Sequence, residues 1–168
     1  MIARVAVEAS DERSPTDSPE LVVDCGRWAA LAQAALEDRG AAGSLSLWFV
    51  DVDEIARLNA EHMGVAGPTD VLSFPLDVDE TSVGDVPVLL GDVVVSPSVA
   101  GEQFAGHAGS YDDEIALLVI HGVLHVLGHD HAEPEETAVM RSLELELLEA
   151  HHWQASAPPG FRHDHADS

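Results

Sequence analysis

Apolar and polar residues alternate along residues 2–8, IARVAVE, the period of a strand with one buried face. A polar stretch, SDERSPTDSP, separates this strand from a helical pattern over residues 20–39 that stops at Gly40. LSLWFV (45–50) predicts a second strand. Asp53 is placed to cap the helix EIARLNAEHM (54–63), and Gly64 to end it. DVLSFP (70–75) predicts a short third strand, and the acidic stretch LDVDETSVGDVP (76–87) a solvent-exposed loop. LGDVVVS (90–96) predicts a fourth strand, with β-branched residues at its centre. Ser96 followed by Pro97 is an N-cap and first-turn pair, which starts a short helix running to position 105.

Ser110, with Asp112, Asp113 and Glu114 after it, opens the next helix at its electropositive end. The interior of that helix, IALLVIHGVLHVL, is apolar nearly all round, so it is expected to be the buried central helix, ending at Gly128. EPEETAVMRSLELELLEA (133–150) predicts a last amphipathic helix, and residues 151–168 read as a flexible tail. Four strands and about five helices, with helices both between and after strands, predict an α+β fold: one domain over residues 1–150 with a mixed four-stranded sheet.

Length and composition agree with this. A chain of 168 residues, 46% of them hydrophobic, can build one real core. The longest apolar stretch is interrupted by two histidines and is too short to span a bilayer, and the first residues lack the pattern of a signal peptide. A single cysteine, Cys25, permits no internal disulfide, and a reducing cytoplasm is the expected location. The charge balance is lopsided: 31 acidic residues face seven basic ones, all of them arginine, for a formal net charge of −24. Nucleic-acid affinity ordinarily comes from a basic footprint, so any such role needs a local basic patch, divalent cations or a basic partner protein.

The chemistry is concentrated in HGVLHVLGHDH (121–131). Residues four apart on a helix share a face, so His121 and His125 can direct their imidazoles at one metal ion. Gly128 can turn the chain back in a left-handed conformation and bring His131 to the same ion. Three imidazoles and one open position is the layout of a catalytic zinc site, and packing alone does not explain three histidines in this order. His129 is expected to be a non-ligand and Asp130 a hydrogen-bond acceptor beside the ligands. His151, His152, His163 and His165 fall in the expected tail, where solvation accounts for them. The spacing is that of an extended zinc-protease motif in every place except one: Gly122 stands where such a protease needs its glutamate base, so peptide hydrolysis by that route loses its proton acceptor.

Residues 121–131 resemble the H-G-x-L-H-x-x-G-[YH]-D-H signature of the YbeY family, bacterial metal-dependent endoribonucleases. GPTDVLSFP (67–75) is similar to that family's P-T-[DN]-V-L-S-F-P segment, and LGD (90–92), Leu58 and Asn59 agree in order and spacing. The resemblance implies a single-domain α+β fold with one zinc ion per chain held by His121, His125 and His131. It also implies cleavage of single-stranded RNA, processing near the 3′ end of small-subunit ribosomal RNA, ribosome quality control, and small-subunit ribosomal proteins as partners. One position departs from the family pattern: Met63 stands where many members carry an arginine, and Arg57 and His62 are the nearest candidates to replace it. Thr69, Asp70, Ser73 and Asp92 are further candidates for the cleft wall, with Asn59 and Arg57 beside them. Zinc can polarise a phosphodiester oxygen and lower the pKa of its own water towards ~7, which makes a missing glutamate less costly than in a protease. Two other readings are a zinc-dependent hydrolase of peptides or small substrates, and a non-catalytic ribosome-assembly factor with a structural metal.

Overall fold

The computed structural model describes residues 5–76, 88–130 and 132–162. Strand β1 (Val5–Asp11) leads through a loop to helix α1 (Cys25–Asp38), whose first turn is capped by Asp24 accepting from the Arg27 amide at 3.1 Å. That cap sets the helix start later than position 20, because residues before Asp24 are tied into turns of their own. Strand β2 (Gly43–Phe49) follows, then α2 (Val52–Leu58), which continues through a π turn (Asn59–Met63) to the left-handed Gly64. Strands β3 (Val71–Pro75) and β4 (Leu89–Val95) come next, and the loop expected at 76–87 lies, apart from its first residue, outside the described residues. Helix α3 (Pro97–Gln103) starts at Ser96, whose hydroxyl accepts from the Val99 amide at 3.3 Å. Helices α4 (Tyr111–Val126) and α5 (Pro134–Leu148) complete the fold.

The four strands form one mixed sheet in the order β1-β2-β4-β3, with β1, β2 and β4 parallel and β3 antiparallel to β4. Side chains alternate across each strand, so the sheet has two different faces. Leu45, Leu47, Phe49, Val93 and Val95 face inward onto α1 and α4 in the main core, to which α5 adds Met140, Leu147 and Leu148. Leu72 and Val94 face outward and meet Val50 and Ile55 in a smaller core under α2. Helix α4 is the central element that the sequence predicts: nearly every side chain from Glu114 to Val126 is buried. Each fully buried aliphatic side chain contributes roughly 1.5–3 kcal/mol, which is why so uniformly apolar a helix sits between the sheet and α5.

The residues expected to form a tail divide in two. Those from 151 to 162 pack on the domain: Trp153 donates its indole N–H to Asp113 at 2.8 Å, and its ring meets Phe161 edge to face. Residues 163–168, with His163 and His165, lie outside the described residues.

Close packing explains Gly122. A Cβ built there lies 2.4 Å from Val93 Cγ1 and 3.3 Å from Ser73 Oγ, so α4 rests on β3 and β4 at the distance of a bare backbone. Alanine at this position gains about 1 kcal/mol of helix propensity but forces a methyl into a fully packed core, at about 1–3 kcal/mol. Gly122→Ala is therefore expected to lower unfolding free energy by up to about 2 kcal/mol in urea denaturation. In a Val93→Ala background the same substitution should cost measurably less, because its clash partner is gone.

Candidate metal centre

Helix α4 presents His121 and His125 on one face, one turn apart. Their Nε2 atoms converge to 3.1 Å and their rings stand nearly perpendicular, at 77°. His121 is 4% exposed, and its Nδ1 lies 2.9 Å from the carboxylate of Glu144, itself 1% exposed, on α5. A carboxylate accepts, so Nδ1 carries the proton and the Nε2 lone pair is turned towards His125. This is the carboxylate–histidine arrangement that orients a metal-ligating imidazole. Two imidazole nitrogens bound to one tetrahedral ion at about 2.0–2.1 Å are separated by about 3.3 Å, close to the 3.1 Å observed. The donor set therefore fits a divalent cation of the zinc type. His131, the third expected ligand, lies outside the described residues, and among the described residues no group of three His, Cys, Asp or Glu side chains is gathered in metal-binding geometry.

Gly128, at φ +99°, turns the chain after α4, and the His129 amide donates to the Leu124 carbonyl at 3.0 Å. His129 is half-buried and Asp130 exposed in that turn. Ser73 lies on the α4 side of the sheet: its hydroxyl donates to the Gly122 carbonyl at 3.2 Å. Asn59 is buried and donates to the Gly67 carbonyl at 3.0 Å, tying the π turn to the loop before β3. Thr69 and Asp70 sit in that loop, where the Asp70 carboxylate accepts from Gln103 at 2.9 Å.

Two expectations are corrected by strand alternation and by local ion pairing. Asp92 pairs with Phe74 in the sheet register, one residue from the inward Val93, and so faces away from α4, accepting from the Trp48 indole at 3.0 Å. Arg57 does not turn towards the histidines to replace the arginine absent at Met63: it is exposed and ion-paired to Glu54 and Glu61 on its own helix. His62 meets Phe74 edge to face, again on the outer face.

Glu144 escaped the sequence reading, and Glu114 was read only as a first-turn acid of α4, not as a buried, paired carboxylate. Glu114 is fully buried and accepts from His107 Nδ1 at 2.8 Å, from Gln103 at 2.9 Å and from the Ala108 amide at 3.2 Å. The signal was present, since Glu144 interrupts the apolar stripe of Met140, Leu147 and Leu148, and Glu114 shares a face of α4 with His121 and His125. The hydrogen bond to Glu114 raises the pKa of His107 against the opposing effect of burial, helped by the charges of Asp70 and Glu144.

The fold and site together define an α+β domain built round a buried, histidine-bearing central helix. The sequence model of the family described as Endoribonuclease YbeY matches residues 8–152, and the chain belongs to that family. It is 44% identical over 136 residues to Endoribonuclease YbeY of Salinispora tropica, covering 75% of this chain and 87% of the relative. It is 37% identical over 170 residues to Endoribonuclease YbeY of Mycobacterium tuberculosis strain H37Rv, covering 97% and 92%. Among solved structures, the solution structure of TM1509 from Thermotoga maritima shares the fold at a TM-score of 0.50 and 21% identity, over 92% of this chain and 98% of that one.

A raised folded pKa means that the His107–Glu114 pair stabilises the protein fully below the ordinary imidazole value of about 6.5. That contribution is lost as pH rises through the higher folded value. The stability gap between wild type and His107→Gln, from urea midpoints across a pH series, is expected to be widest in mild acid and to narrow with rising pH.

Proposed function

We propose that this chain is a metal-dependent endoribonuclease that cleaves single-stranded RNA in 3′-end maturation of small-subunit ribosomal RNA and in ribosome quality control. The observation that carries this reading is the convergence of the two Nε2 atoms with Glu144 behind them, in a chain of the YbeY family. His121, His125 and His131 would hold one zinc ion. Such an ion would polarise a phosphodiester oxygen and acidify a water molecule.

The chain's own residues do the rest. Glu144 holds the proton on His121 Nδ1 and thereby keeps the Nε2 lone pair directed at the site. Ser73 and the packing at Gly122 hold the helix that carries both imidazoles. The packing at Gly122 also disfavours a peptidase: the position where a zinc protease carries its general base is filled by Val93 and Ser73. With a net charge of −24, attraction to RNA is expected to come through a partner, and small-subunit ribosomal proteins are the proposed ones. Among the described residues no helix is long and apolar enough to cross a membrane, and the proposed location is the cytoplasm.

Zinc-loaded wild type is expected to cleave a labelled single-stranded RNA while His125→Ala, prepared identically, leaves it intact. Products without a 2′,3′-cyclic phosphate are expected, because water rather than the ribose hydroxyl is the proposed nucleophile. Equal cleavage by both proteins would remove the histidine pair from the reaction. Glu144→Gln, which keeps the shape but not the charge, should weaken zinc binding about 10–100-fold in competition with a chromogenic chelator.

A further inference from the structure

A concavity of about 660 Å³ lies on the outer face of the sheet, away from α4 and the histidine pair. That volume is in the range of small-molecule sites, roughly 300–1,000 Å³. Strand alternation builds its floor. Trp48 on β2 lies beside Val94 on β4, and Phe74 on β3 beside Asp92. Leu58 closes the side formed by α2. The walls are held in place: Trp48 donates to Asp92 at 3.0 Å, and His62 meets the edge of Phe74 at 5.1 Å.

Four carboxylates line the same cleft, those of Glu12, Asp51, Glu54 and Asp92, and among the described residues no lysine or arginine lines it. Glu54 is partly neutralised by Arg57. Asp51 accepts from the Ser14 amide at 2.7 Å, Glu12 from the Ser10 hydroxyl, and Asp92 from Trp48. Each of these three bonds uses one carboxylate oxygen, and an ionised carboxylate has about four acceptor positions. The sites are therefore fixed in position with capacity remaining.

The lining selects its ligand by exclusion. Phosphate and the RNA backbone are repelled by the carboxylates. A hydrated divalent ion makes no use of an aromatic and aliphatic floor, and a neutral apolar molecule would strip water from the acids without replacing it. An organic cation with ammonium groups spaced along methylene chains satisfies both parts, through charge-assisted hydrogen bonds and cation–π contact. We propose that this cleft binds a linear aliphatic polyamine. Its methylene segments lie over Phe74, Leu58 and Val94, and its ammonium groups meet Asp92, Asp51, Glu12 and the face of Trp48. A lysine side chain on a basic polypeptide carries the same chemistry, so the test separates the two.

Spermidine is titrated calorimetrically into the full chain at low ionic strength, without metal or RNA, so the outcome is independent of the ribonuclease reading. One spermidine per chain is expected. Asp92→Asn should weaken binding about tenfold, while Glu136→Gln, the same charge change at an exposed position on α5, leaves it unchanged. In wild type the Trp48 indole N–H resonance should shift on titration, a readout that needs no variant to fold. Equal weakening by both substitutions would reduce the effect to diffuse charge and overturn the proposal. So would an equal Trp48 shift from magnesium chloride at matched ionic strength. Saturation of the cleft by a short lysine peptide but not by spermidine would overturn it in favour of a polypeptide.

Discussion

Helix α4 lies so close to β3 and β4 that no side chain fits between them at position 122. Most of the site follows from this contact. A helix seated on bare backbone cannot roll about its axis without driving its neighbouring side chains into the sheet, so the directions of His121 and His125 are set by packing. The same contact leaves no volume for a glutamate, and it brings the Gly122 carbonyl within reach of the Ser73 hydroxyl.

Burial on this scale makes a charged or imidazole group on α4 a liability unless it is matched. The structure matches Glu114 and His121. Glu114 is surrounded by the donors of His107, Gln103 and Ala108, and Glu144 accepts a hydrogen bond from Nδ1 of His121. The second pair has a chemical consequence that the first lacks, because it settles which nitrogen of His121 has a lone pair to offer. A carboxylate on α5 thus fixes the tautomer of a histidine on α4.

The two faces of the sheet do different work. The inner face is apolar and supports α4. The outer face, only partly covered by α2, gathers Trp48, Phe74 and Asp92 into an acidic cleft from side chains that alternate with core residues along the same strands.

Much of this was legible in the residues alone. The strands, the caps at Ser96 and Ser110, the shared face of His121 and His125 and the stop at Gly128 all follow from local rules: the period of the helix, the alternation of the strand and the freedom of glycine at positive φ. What only the tertiary structure decided depends on groups far apart in the chain. Insertion of β4 between β2 and β3 determined that Ser73 faces the helix and Asp92 the opposite side. Arg57 found its partners on its own helix, since nearby carboxylates outcompete a distant site for an exposed guanidinium. The start of the expected tail was drawn into the domain by Asp113, which accepts from Trp153 across 40 positions. Glu144 reaches His121 across 23. Covalent geometry governs what happens within a turn of helix or a run of strand, whereas desolvation of the buried groups governs which distant partner each polar group must meet.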